Sequence, residues 1–255
     1  MRVNRGVSII CLAAMVLCTG VARAASINYG NFVAPPGVSF NAVTESSPTD
    51  AVPLFGPPAP FATGLDFDPA SFAASSTGGV GDITDGQLNF SAIGIVSPSQ
   101  VIAIDDISVF ESGDFSLLGI GTVGTQVTAG VSLRITVTAI DGVAVAPIAL
   151  IPVNASVGFN LVANAGSVQP WSLGVLANVS AQLTALGHPY TYGATTVEVV
   201  IDDNLVALSQ STSAAFIAKK ELQVHVGPEQ TFVPEPGAAS VLAMGAVCFV
   251  RRRRR

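Results

Sequence analysis

Cysteine, histidine, tryptophan and positive charge are all scarce in this chain, and each scarcity removes a class of function. Among 255 residues there are three cysteines, two histidines and one tryptophan, and charged residues make up 11%. The cysteines, Cys11, Cys18 and Cys248, all lie near the chain ends, in segments that read as removable signals. The chain between them therefore has no thiol nucleophile, no thiolate metal site and no disulfide. Histidine supplies most general bases, but His188 sits in a Gly-His-Pro-Tyr turn and His225 on the polar side of an alternating segment, neither with a second histidine at metal spacing. Nucleophile elbows of the Gly-x-Ser-x-Gly kind, His-Glu-x-x-His pairs and phosphate-cradling glycine loops are missing too. Eight of the eleven basic residues fall in the terminal segments. That leaves Arg134, Lys219 and Lys220 against sixteen acidic residues between positions 25 and 232, a formal charge of −13 where the whole chain has −6. Such a surface repels nucleic acid and anionic lipid headgroups.

The two ends of the chain carry what the middle lacks. Arg2 and Arg5 precede an apolar stretch from Val7 through Val21, and Ala22-Arg23-Ala24 follows as a small-x-small site, so residues 1–24 read as a secretory signal peptide cleaved after Ala24. At the other end, Val233, Pro234, Glu235, Pro236 and Gly237 form a helix-blocking turn. An uncharged run from Ala238 to Val250 comes next, and the chain closes on Arg251, Arg252, Arg253, Arg254 and Arg255. Thirteen helical residues from Ala238 reach about 20 Å, a short membrane helix that Gly237 and the arginine stems extend. The arginine block holds the C-terminus on the cytoplasmic side.

Residues 233–255 resemble the PEP-CTERM sorting signal of exported bacterial proteins. The likeness covers the Val-Pro-Glu-Pro-Gly motif, the small-residue and leucine segment through Leu242 and Gly245, and the terminal arginines. It implies recognition by an exosortase-type membrane protease, a transient stay in the inner membrane, and delivery to the cell surface or the extracellular space. It also implies an association with exopolysaccharide and biofilm, with surface polysaccharide as a further partner.

The interior of the chain alternates with period two, which predicts strands with one buried face. Val131, Leu133, Ile135, Val137 and Ala139 face one way. Val179, Ala181, Leu183 and Ala185 do the same, as do Val197, Val199 and Ile201, and then Leu222, Val224 and Val226. Longer apolar runs at Leu88–Ile95, Val101–Phe110, Gly142–Ile151 and Ser156–Ala163 read as central strands covered on both faces. Turn chemistry at Asp85-Gly86, Ser112-Gly113, Asp141-Gly142, Gly187-His188-Pro189 and Asp202-Asp203-Asn204 separates them. The expected fold is all-β, an antiparallel β-sandwich or jelly-roll-like domain at 87–232. A Pro/Gly/Ser-rich segment at 25–86, with few strands of its own, wraps or precedes it.

Two constellations carry a weak functional signal. Asp66, Asp68, Asp82, Asp85, Asp202 and Asp203 place hard oxygen ligands near turns, as an extracellular Ca²⁺ site requires, but none matches a defined calcium loop and aspartate is a favoured turn residue. Trp171 with Tyr190 and Tyr192 would make a sugar-stacking platform if their loops met, whereas a tryptophan after a proline is more often packing. The reading that follows is a secreted, acidic surface or matrix protein without catalytic residues or a required cofactor. A glycan- or Ca²⁺-binding module is the alternative. A glycoside-hydrolase-like enzyme with paired carboxylates is the second alternative, disfavoured by the lack of aromatics to line its cleft.

Overall fold

The computed structural model describes residues 25–35, 37–97 and 100–232. Its strands pair antiparallel throughout. The first part of the chain forms β1 (Ala25–Ala34), β2 (Val38–Ser47), β3 (Ala59–Phe61), β4 (Gly64–Phe67) and β5 (Ala73–Thr77). Five longer or medium strands follow, β6 (Gly81–Ile93), β7 (Gln100–Gly119), β8 (Gln126–Ile140), β9 (Val143–Ala149) and β10 (Val153–Asn160). A single turn of helix, α1 (Leu161–Asn164), leads into β11 (Gly166–Asn178), and α2 (Val179–Ala185) leads to β12 (Ala194–Leu208) and β13 (Ser213–Phe232).

Hydrogen bonding links the thirteen strands into one sheet, but the pairings fall into two runs. In the first, β1-β2-β6-β12-β8 lie side by side, with β10 on one half of the far edge of β8 and β9 on the other. In the second, β11-β7-β13 lie side by side, with β5 against the first half of β13, β4 against the second, and β3 beyond β4. The runs are joined through Ala194↔Ile104 between β12 and β7, and the sheet folds over so that β12 faces β13 and β5, and β10 faces β11.

Alternation in the sequence becomes the core. Val131, Leu133, Ile135 and Val137 of β8, Val197, Val199 and Ile201 of β12, and Leu222, Val224 and Val226 of β13 are all buried in one apolar cluster. In β13 the phase changes: Ala215, Ile217 and Lys219 point inward, a one-residue bulge falls between Lys219 and Glu221, and Leu222 then takes over the inward side.

Several elements differ from the sequence expectation for identifiable reasons. Val179–Ala185 is helix, not strand. Asn178 caps it by accepting from the Ala181 N–H, and the Thr184 hydroxyl donates back to the Ser180 carbonyl. Val179 and Leu183, four apart, share one face under either period, so alternation alone could not choose. Asp85-Gly86, Ser112-Gly113 and Asp202-Asp203-Asn204 lie inside β6, β7 and β12 instead of in turns. At two of these sites glycine marks a close approach. A Cβ on Gly86 would stand 2.6 Å from Phe72 and 2.7 Å from Phe55, and one on Gly113 would stand 2.0 Å from the Ala218 carbonyl oxygen. Asp141-Gly142 does turn, with Asp141 at φ 50° and Gly142 at φ 79°.

None of the four runs expected to be covered on both faces is buried throughout; within Val101–Phe110 only Val101–Ile104 is buried at successive residues. β9 is largely exposed, while β10 and the first of these runs alternate. Residues 25–86 are integral to the sheet: β1 to β5 come from them, position 86/87 falls within β6, and Phe40, Phe55, Phe67 and Phe72 stand in the core.

Candidate functional site

Register across the first run lines up polar side chains on its outer face. Ser46 of β2 pairs with Gln87 of β6, Gln87 with Asp202 of β12, Asp202 with Ser132 of β8, and Ser132 with Asn154 of β10. Five strands at ~4.8 Å spacing carry this row over about 19 Å. The next row on the same face is Asp85, Asn204, Gly130 and Ser156. These residues stay outside because they alternate with Leu88, Ile201, Leu205 and Leu133, which fill the core.

The row is tied together laterally. Asp202 accepts from Gln87 and pairs with Arg134, and the Gln87 amide oxygen accepts from Asn89 at 3.2 Å. Two hollows open on this face. One, of about 420 Å³, is bordered by Ser46, Asp85, Gln87, Asp202 and Asn204, with Gly86 and Asp203 at its floor. The other, of about 460 Å³, is bordered by Thr128, Ser132, Asn154, Ser156, Asp202 and Asn204. They meet at Asp202 and Asn204. The Asn204 amide oxygen lies 2.9 Å from the position of a Cβ on Gly130, so only glycine there lets Asn204 lie flat across the sheet. Burial, and next the charge of Asp50, raise the Asp85 carboxyl above its ordinary value.

Beneath this face, one residue further along β12, Asp203 points the opposite way. It is 2% exposed, and its Oδ2 lies 2.7 Å from the Lys219 ammonium of β13. Glu111 of β7, fully buried, brings Oε2 to 2.9 Å from the same nitrogen. Phe72 and Phe55 close over the ammonium, with ring centres 4.7 and 5.5 Å away. Among the described residues no hydroxyl or backbone N–H hydrogen-bonds to these three groups, whose polar partners are one another. Burial first, and the Asp203 charge second, hold the Glu111 carboxyl well above the usual carboxylate range, against the opposing pull of Lys219. Of the trio, Glu111 is thus the carboxyl whose protonated form burial favours.

A second buried carboxylate has a different setting. Glu45 accepts from the Leu54 N–H, from the Phe55 N–H at 3.2 Å and from the Tyr29 hydroxyl at 2.6 Å, which fixes the loop that brings Phe55 over Lys219. Asp141 closes the turn after β8. Burial acts to raise its carboxyl, but the N–H groups of Thr191, Tyr192 and Gly193 outweigh it and hold the group below its ordinary value.

The aspartates that suggested calcium are dispersed. Asp66 lies on β4 opposite Gln223, Asp82 accepts from the Ser75 N–H, and Asp85 and Asp202 border one hollow while Asp203 faces inward. Asp68 follows β4. Among the described residues no group of three histidine, cysteine, aspartate or glutamate side chains is placed to hold a metal ion. Trp171 is buried, with its indole N–H donating to the Ala218 carbonyl at 3.1 Å, so it forms no surface platform with Tyr190 and Tyr192. His225 hydrogen-bonds Thr63 at 2.8 Å, and the His188 backbone N–H donates to the Leu183 carbonyl. Ala22, Ala24 and the sorting motif from Val233 to Arg255 lie outside the described residues. The Lys219 trio was missed in the sequence although strand phase marks it: Glu111 follows Ile107 and Val109, Asp203 follows Val199 and Ile201, and Lys219 follows Ala215 and Ile217.

No protein-family model matches the chain, and no curated protein matches it. Among solved structures it is weakly similar to TmCBM61 in complex with β-1,4-galactotriose, at 7% identity over 64% of this chain and 70% of that one, with a TM-score of 0.21. It is similar to the Trichoderma harzianum endoglucanase 3 of family GH12 at 12% identity over 82% and 100% of the two chains, TM-score 0.21. A chain of infectious bursal disease virus Gx strain matches at 14% identity over 83% and 60%, TM-score 0.18. Likeness at this level does not extend to function.

Proposed function

We propose that this chain is an exported, non-enzymatic surface or matrix protein, sorted through its PEP-CTERM-like tail, whose jelly-roll-like β-sandwich contacts surface polysaccharide through the outer face of the first strand run. The observation that carries the binding reading is the row Ser46, Gln87, Asp202, Ser132 and Asn154, with the two hollows that meet at Asp202 and Asn204. Amides, hydroxyls and a carboxylate at strand spacing offer repeated donors and acceptors to sugar hydroxyls. Because Arg134 neutralises Asp202, the row presents hydrogen-bonding groups more than charge. The closely set carboxylates of the core, Glu111 and Asp203, are occupied by Lys219 and buried, which favours a binding surface over a hydrolytic one.

Titration of the purified protein with exopolysaccharide from its source cells, by calorimetry or affinity electrophoresis, tests the binding. An Asp202→Ala, Asn204→Ala double variant should bind at least tenfold more weakly with its melting temperature little changed. Equal binding by the variant, or no binding by the natural protein, refutes the assignment of this face. Sorting is tested separately by the intact mass of the surface fraction, where a species beginning at Ala25 and lacking Arg251–Arg255 is expected.

A further inference from the structure

We propose that Lys219 and Asp203 join covalently, the lysine Nζ forming an amide with the Asp203 Cγ, and that Glu111 carries the protons for the step. The bond would tie β13 to β12, the two central strands that face each other across the core. Three observations support it. The amine lies 2.7 Å from a carboxylate oxygen of its partner and 2.9 Å from one of a second carboxyl. All three groups are sealed, with Lys219 at 1%, Asp203 at 2% and Glu111 at 0% exposure, beneath the rings of Phe55 and Phe72. Among the described residues they have no other hydrogen-bonding partners, so apart from the two rings only the trio itself stabilises the separated charges.

The chemistry follows from that environment. An ammonium and a carboxylate condense poorly in water because both are solvated ions at the wrong protonation state. In a dry interior the neutral forms gain, since burying a charge costs far more than burying an amine or an acid. Passing one proton from the Lys219 ammonium to Asp203 leaves a free amine beside two carboxylic acids. The amine lone pair attacks Asp203 Cγ, and Glu111 donates its proton to the oxygen that develops negative charge. Glu111 then takes a proton from the attacking nitrogen, and a hydroxyl leaves Cγ with a proton as water. One C–N bond forms, one C–O bond breaks, one water departs and Glu111 ends protonated as it began, so no oxidant, cofactor or activated donor is needed. Fixed near-contact of amine and carboxyl supplies the effective concentration that the uncatalysed reaction lacks.

Asp203 is assigned as the acyl partner and Glu111 as the proton carrier because Asp203 is nearer to the nitrogen and Glu111 is the carboxyl whose protonated form burial favours. The bond does not depend on the polysaccharide reading.

Peptide mapping of the purified full chain under denaturing conditions is the test. Chymotryptic cleavage after Leu205, Leu208 and Phe216 should separate Asp203 from Lys219, yet the two peptides should remain joined, with a combined mass lower by one water and fragment ions that place the branch at these two side chains. In Glu111→Gln protein shown to be folded by circular dichroism, the same peptides should appear separately. Separate, full-mass peptides from the natural protein overturn the proposal, as does a branch at Glu111 or a water loss confined to a cyclised aspartate. A branch that persists in folded Glu111→Gln protein overturns the proton relay. Should that variant not fold, the map of the natural chain still decides.

Discussion

Replacing Gly113 by alanine should destabilise the domain far more than the same change at Gly158, although both glycines sit in strands and neither has a left-handed φ. A Cβ at Gly113 would lie 2.0 Å from the Ala218 carbonyl oxygen and 2.9 Å from the Trp171 indole nitrogen, the two atoms that hydrogen-bond each other. The nearest obstacle is backbone, so β7 and β13 must move apart right beside the bulge between Lys219 and Glu221 that shifts the phase of β13. Overpacking of this kind costs ~1–3 kcal/mol, and loss of the indole hydrogen bond adds ~1 kcal/mol, for a total of about 2–4 kcal/mol. In a domain of this size that lowers the melting temperature by roughly 5–15 °C. At Gly158 the nearest atoms are Thr128 Oγ1 at 3.5 Å and the Val127 carbonyl oxygen at 3.6 Å, which is ordinary contact. There the gain from restricting the unfolded chain leaves the variant unchanged or stabilised by about 0.5 kcal/mol. Paired thermal melts and urea titrations decide. A Gly113→Ala protein that melts within ~2 °C of both the natural chain and Gly158→Ala would show that these strands do not approach as described.

Three further outcomes can be checked. Glu45→Ala strips the acceptor from the Leu54 and Phe55 N–H groups and the Tyr29 hydroxyl, and should cost about 2–4 kcal/mol in urea unfolding, with Glu45→Gln recovering part. Asp141→Asn should lower the melting temperature at neutral pH. Because the folded carboxyl is held below its ordinary value, its stabilisation is complete above ~pH 5 and disappears as pH falls through the folded value, so the gap between natural and variant melting curves should close in acid. Arg134→Ala removes a half-exposed pair with Asp202 and should change stability by no more than ~1 kcal/mol in a melt, despite the short contact.

How much of this was legible in the sequence depends on whether one period or two fitted the residues. β8 and the middle parts of β12 and β13 were readable because Val, Ile and Leu alternate there with Ser, Thr, Arg, Glu, Gln and His, and only a strand puts such a series on one face. α2 was not, since Val179 and Leu183 satisfy both periods and the decision rests on the Asn178 cap. Asp85-Gly86 and Asp202-Asp203-Asn204 looked like turns on composition, yet they pair with each other across β6 and β12, where the glycine makes room for Phe55 and Phe72. The residues before 87 looked like wrapping because their prolines, most of them between the strands and Pro60 within β3, hide the strands. The Lys219 trio had the right strand phase, but a lysine beside a second lysine reads as solvated surface, and the bulge that follows it puts it out of phase with Leu222, Val224 and Val226. The outer polar row could not be read at all, because which residues share a row is a property of register between strands far apart in the chain.

The place of β13 has a mechanical consequence. It runs between β7 on one side and β5 and β4 on the other, and its ladder with β7 extends from Ser213↔Gly119 to Phe232↔Gln100. A pull on the chain at Phe232 along the strand therefore cannot peel the pairs away singly. The whole ladder is strained at once, and bonds of about 1 kcal/mol each must yield together before the strand slides. A tether at this end would load the domain through the element best able to resist it, leaving β1 and β2, at the opposite margin of the sheet, free of tension.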